Sequence, residues 1–264
     1  GKRGLYGIPS LNMTARDFFM TTNFAYSRKS DAWLYVLPKR VASPELSMFC
    51  SHLLGELETR RNQMEDPYTF RGIREYTYGD TYGKINWKAT AKASKLMVNM
   101  YGYTSEQRVR ILLNLETNIM VKTEYLQEMS IRMAGTIAEY FLQHKVSVEL
   151  VSNGIDCMTG ACERVEAGMS MEHGETIDKY LARIKENAGI DAFMQMVDTE
   201  IQQMEEPITY VIISPYYKED LLLKLDYMHK NNPELHMVVP YYDIQDKTGW
   251  RGYMQGVEVK WNEI

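Results

Sequence analysis

The chain has 264 residues, 45% hydrophobic and 25% charged, the composition of a globular chain long enough for one large domain or two smaller ones. Its net charge of −5 excludes a protein whose whole surface binds nucleic acid. Three cysteines are too few for a disulfide scaffold and favour a reducing compartment, and no apolar run is long enough to span a membrane. The chain opens Gly1-Lys2-Arg3-Gly4 with no signal peptide, which reads as a piece of a longer polypeptide.

Residues 1–41 read as strands, LYGIPSLNM and AWLYVLPKRV, punctuated by Pro and Gly. Ser43 caps a helix that opens with Pro44 and runs to about Arg61, and the charged stretch ETRRNQMED after it reads as a solvated loop. KLMVNMYGY is a strand. From Arg108 strands and helices alternate. RVRILLNLE is a nearly continuous apolar run, as in a strand buried on both faces. Leu126, Met129, Met133, Ile137 and Phe141 then recur at helical steps, and VSVELVS is the next strand. GETIDKYLARIKENAG predicts a helix stopped by Gly189, and the following helix is capped by Asp191. ITYVIISP, a helix over KEDLLLKLDYMHKN, ELHMVVPYY and an edge strand GVEVKW complete the series. The expected fold is α/β: a doubly wound, mostly parallel sheet over 105–264, preceded by a smaller β-rich part over 1–104. Ligand sites in such sheets lie beyond the C-terminal strand ends, here at Asn114–Asn118, Ser152–Asp156, Ser214–Tyr217 and Pro240–Asp243.

One segment fits neither a core strand nor an amphipathic helix: RGIREYTYGDTYGKINWKATAKASKLMV, from Arg71 to Val98. Residues 71–95 hold six cations against Glu75 and Asp80, a net +4 that leaves −9 for the rest of the chain. Two readings stay open. In the first, Arg71 or Arg74 pairs with Glu75 or Asp80, Tyr76 and Trp87 pack on the guanidinium or the core, and glycines 72 and 79 serve turns, so that the segment is a structural clamp. In the second, Lys84, Lys88, Lys92 and Lys95 form a basic face that docks an acidic partner or anionic lipid.

The same segment resembles the hallmark of a bacterial family known as domain of unknown function 58. Arg71-Gly72, Arg74-Glu75-Tyr76, Gly79-Asp80, Ile85, Trp87, Thr90-Ala91-Lys92, Leu96 and Val98 carry the resemblance, with Arg3-Gly4-Leu5-Tyr6 and Arg16-Asp17-Phe18-Phe19 upstream. The resemblance implies a von Willebrand factor A-like C-terminal domain, a pair of membrane helices upstream, and a soluble part facing the cytoplasm at the bacterial cytoplasmic membrane. It also implies work as a non-enzymatic assembly partner of a MoxR-type AAA+ ATPase, with no nucleic acid bound.

Von Willebrand A domains that hold Mg2+ do so with an Asp-x-Ser-x-Ser sequence after the first strand. Here Asn114, Glu116 and Asn118 stand at those positions, and Ser214 stands where a later aspartate is common. Only Glu116 brings charge to a hard cation, so the site is degenerate and no cofactor is expected. The alternative is a divalent-metal-dependent ligand-binding, adhesion-type domain. Cys157, Cys162 and His173 match no zinc spacing, and no Ser-His-Asp set, His-Glu-x-x-His or phosphate loop appears, so no catalytic residues are assigned.

Overall fold

The computed structural model describes residues 2–19, 21–63, 65–103, 107–116, 123–186, 191–204, 208–241 and 250–258. In chain order its elements are β1 (Gly4–Arg16), β2 (Asn23–Val36), α1 (Pro44–Gln63), β3 (Glu65–Glu75), α2 (Trp87–Ala93), β4 (Met97–Tyr103), β5 (Arg108–Leu113), α3 (Thr123–Gln143), β6 (Ser147–Asp156), β7 (Cys162–Gly168), α4 (Met171–Arg183), β8 (Ile184–Lys185), α5 (Ala192–Gln202), β9 (Ile208–Ile213), α6 (Glu219–Asn231), β10 (Leu235–Tyr241) and β11 (Met254–Glu258). The chain divides into two compact units, one of residues 1–47 with 108–264, the other of residues 48–107. The second break falls beside the 104/105 boundary read from sequence, whereas residues 1–47 group with the α/β unit.

The larger unit is a mixed α/β structure around a seven-stranded sheet ordered β11-β10-β9-β5-β6-β7, with β8 added beside β6. β11, β10, β9, β5 and β6 run parallel, and β7 and β8 pair with β6 antiparallel. The chain starts at β5 and winds to β6 on one side and β9 on the other, so β5 is where strand order reverses. β9 is buried at every position and β5 at all but its first, which is why both read as apolar runs. Leu112, Tyr210, Ile212, Met237 and Val239 meet Phe193 and Val197 of α5 and Leu221, Leu225 and Met228 of α6. The alternate residues of β5 point to the opposite face. α3, with buried Met129, Met133, Ile137 and Phe141, packs against β5, β6 and β9.

Arg110 interrupts this apolar sheet. Its Nε donates to Glu149 Oε2 at 2.7 Å and its Nη1 to Glu200 Oε2 at 2.5 Å, and its guanidinium lies over the Tyr210 ring. Arg164 closes a quartet by donating to both glutamates. Two cations and two anions offset each other, which is how buried charge is tolerated.

β1 and β2 form a long two-stranded ribbon. Its base is tied down by Arg3, whose Nη1 donates to the carbonyls of Leu181 (2.5 Å) and Ile184 (2.8 Å) and whose Nε donates to Glu128. Arg40 makes a two-pronged pair with Asp178 and also bonds Glu139.

Several local expectations are corrected. The second strand covers Asn23–Val36 and stops before Pro38, whose ring cannot donate to a ladder. α1 continues through ETRRNQ to Gln63, so that stretch is helix and not loop. α4 ends at Arg183 rather than at Gly189, because Ile184 and Lys185 leave it to pair with Asp156 and Ile155. Gly189 itself and the end of GVEVKW lie outside the described residues. Gly72 sits inside β3 at a register shift rather than in a turn. No helix among the described residues is long and apolar enough to cross a membrane.

Candidate functional site

The C-terminal ends of β5, β6 and β9 bring three short polar side chains together at the point where strand order reverses. Asn114 follows β5, Asn153 lies on β6 and Ser214 follows β9, and all three are buried. Asn114 Nδ2 donates to Ser214 Oγ at 3.0 Å, and Asn114 Oδ1 accepts from Asn153 Nδ2 at 3.2 Å and from the Glu116 amide at 3.0 Å. Asn153 Oδ1 accepts from the Leu115 amide, and Ser214 Oγ donates to the Tyr216 carbonyl while accepting from its amide. Each donor in this set thus faces an acceptor.

Glu116 does a different job. Its carboxylate accepts the Phe193 amide in the first turn of α5, satisfying a helix N–H that the side chain of Asp191 does not cap. Asp191 stands at the N-cap in the left-handed region (φ 61°) without a side-chain bond to α5, so the cap read from sequence is replaced by a residue from the β5 end. Burial pushes the Glu116 carboxyl above its ordinary value, with Asp191 and Asp220 adding to the rise and the Phe193 amide opposing it. Tyr216 donates to Asp220 at 2.6 Å, and burial together with that carboxylate pushes its phenol up to about 12.

A cation would need these oxygens turned toward one point. Asn114 Oδ1 is instead spent on Asn153 Nδ2 and the Glu116 amide, Ser214 Oγ on Asn114 Nδ2 and the Tyr216 backbone, and Glu116 on α5. The residues present therefore do not fit Mg2+ in this arrangement, and Asn118 lies outside the described residues. Asn153 falls within the Ser152–Asp156 strand end read from sequence, without being named there as a site residue. A polar residue just past an apolar strand run is the signal that points to it.

The Arg71–Val98 segment belongs to the smaller unit, where β3 and β4 form an antiparallel pair. Arg74 clamps Asp80 with two bonds of 2.7 and 2.6 Å, and Asp80 also accepts the Thr77 amide and hydroxyl. The Arg74 guanidinium, then the Thr77 amide, hold the Asp80 carboxyl well below the usual carboxylate range. Gly79 closes this turn at φ 114°, a backbone state that side chains resist. Tyr76 stacks on Tyr82 at 6.1 Å, and Lys95 bonds Glu75 at 2.9 Å.

Asn86 caps α2 by accepting the Ala89 amide and ties it to β4 by donating to Asn99. The cap leaves Trp87 68% exposed, with Lys88 and Lys92 exposed one turn apart and without an ion pair among the described residues. Arg71 is also exposed and joins no ion pair among the described residues. The segment is thus divided: Arg74, Glu75, Tyr76 and Asp80 are engaged within it, while Trp87, Lys88 and Lys92 face outward. Buried Cys50 has its thiol pushed up to about 12 by burial, which leaves it un-ionised and unreactive near neutral pH.

No protein-family model matches the chain, and no curated protein matches it. The fold and site together define a mixed α/β protein with a closed polar rim at its strand ends and a separate unit bearing an exposed aromatic and basic helix.

Proposed function

We propose that the chain is the part outside the bilayer of a membrane-tethered, non-enzymatic interaction module. It would combine a von Willebrand A-like domain with the domain of unknown function 58 motif and act with a MoxR-type AAA+ ATPase at the cytoplasmic face of a bacterial membrane. The observation that carries the reading is the outward face of α2. An exposed Trp beside two lysines that join no ion pair among the described residues has the chemistry of a protein-docking anchor, where a large aromatic supplies contact area and cations steer an acidic partner.

The alternative is a divalent-metal-dependent adhesion domain. The closed bonding of Asn114, Asn153 and Ser214 favours the metal-free module over it. Co-purification of partners from native membranes, with and without EDTA, separates the two. The module reading expects the ATPase among the captured proteins and no effect of EDTA. Capture that disappears in EDTA and returns with Mg2+ would establish the adhesion reading instead.

A further inference from the structure

We infer that the β1–β2 ribbon is an interfacial membrane anchor that lays an apolar face and a diphenylalanine tip onto a bilayer of anionic lipid. This goes beyond the assembly role above and stands or falls separately from it.

Beyond the register shift at Ile8/Ser10, the cross-strand pairs are Leu11 with Arg28, Met13 with Tyr26 and Ala15 with Phe24 on one face. On the other they are Ser10 with Lys29, Asn12 with Ser27, Thr14 with Ala25 and Arg16 with Asn23. A period of two separates a face that is apolar but for Arg28 from a mainly polar one, the pattern by which a ribbon places one face against an apolar medium. Yet the apolar face is exposed: Leu11, Met13, Phe24 and Tyr26 are each more than half accessible. Nothing among the described residues covers it.

The tip sharpens the case. Phe18 is 94% exposed and Phe19 is 80% exposed, with their rings edge to face at 5.4 Å. They sit on a turn fixed by Asp17, whose carboxylate accepts the amides of Thr21 (2.7 Å) and Thr22 (3.1 Å) and both hydroxyls. The rings are therefore held out by a bonded turn.

Charge selects the occupant. Beyond the register shift, residues 10–29 hold Arg16, Arg28 and Lys29 against Asp17, a net +2 in a chain of net −5, and Asp31 nearer the base lowers the whole ribbon to +1. Asp17 directs its oxygens into the turn, so the charges that this outer part leaves to meet a partner are cationic. Arg28 lies on the apolar face itself and Arg16 and Lys29 on the other, so anionic headgroups complement the outer part of the ribbon. A second ribbon would set like charges against one another. Among the described residues each strand has one pairing neighbour, so each keeps an unpaired backbone edge. Such edges cannot enter hydrocarbon, which places the ribbon in the headgroup layer, where Tyr26 and Trp33 are also at home.

The test is sedimentation of the 264-residue chain with vesicles of equimolar phosphatidylglycerol and phosphatidylcholine, and with phosphatidylcholine alone. Binding to the anionic vesicles that weakens as salt is raised is expected, with a loss of roughly a hundredfold in F18S/F19S. Y227S, which removes an exposed ring from α6, serves as the matched control and is expected to bind as the parent does. Both Phe side chains are exposed, so the variant keeps its fold, and its circular dichroism verifies this. Absence of binding to either vesicle, or binding undiminished in F18S/F19S, overturns the inference. A lipid-free dimer that F18S/F19S dissociates, without vesicle binding, also overturns it and assigns the face to a second copy.

Discussion

Arg110 is the residue whose role owes most to the fold. In sequence it is a charge inside an apolar run, and its partners lie 39 and 90 residues away, so no local pattern could reveal the quartet. Arg110→Met leaves two buried glutamates facing one another with only Arg164 between them. It is expected to cost about 3–5 kcal/mol of stability, read by denaturant unfolding. A cost under about 1 kcal/mol, the level of exposed pairs, would show that the quartet is not the buried cluster described. Glu116 gives the opposite sign. Its folded carboxyl titrates above its unfolded value, so it favours folding while protonated and costs stability as pH rises through the folded value. Glu116→Gln keeps an acceptor for the Phe193 amide and removes that cost. The variant is expected to melt higher than the parent near neutral pH, with the difference vanishing in acid. Equal melting at neutral pH would contradict the assigned burial.

Among the elements, those buried on both faces were legible. β5, β9 and β10 stand out as apolar runs, and α3 as an apolar stripe, because their neighbours impose the pattern on every residue. β7 is not legible in the sequence, since CERVEAG is a half-exposed strand on the sheet edge, and β8 is only two residues long. The end of α4 was misplaced for the same reason: a helical pattern continues in sequence past Arg183, but pairing with β6 takes Ile184 and Lys185. The rim was half legible. Asn114, Glu116 and Ser214 follow from strand ends, and Asn153 falls within the Ser152–Asp156 end, but β6 runs on to Asp156 where the apolar pattern stops at Ser152, so its role in the rim is not marked. The turn after β3 carries its own prediction. A Cβ at Gly79 meets open space, so Gly79→Ala costs only backbone strain, about 1–3 kcal/mol. Thermal unfolding that does not shift in this variant would show that the positive φ is not maintained.

At the scale of the molecule, an α/β unit with a closed strand-end rim accompanies a smaller unit whose motif divides into a bonded turn and an outward helix. The division between the two units was partly legible. The break near residue 107 coincides with the onset of strand–helix alternation. The grouping of residues 1–47 with the α/β unit rests on bonds such as Arg3 to Glu128 and Arg40 to Asp178, which span more than a hundred residues and leave no local trace. The resemblance supplies the expectation of a partner, and the exposed face of α2 is the place proposed for it.

The most direct test of that account compares partner capture by the parent protein and by W87A/K88E/K92E, purified side by side from native membranes with the MoxR-type ATPase quantified in each eluate. The three side chains are exposed, so the variant is expected to fold as the parent does. Loss of a central aromatic anchor together with reversal of two charges is expected to lower ATPase recovery at least about tenfold. Recovery equal to the parent's, or no ATPase in either eluate, would contradict the account.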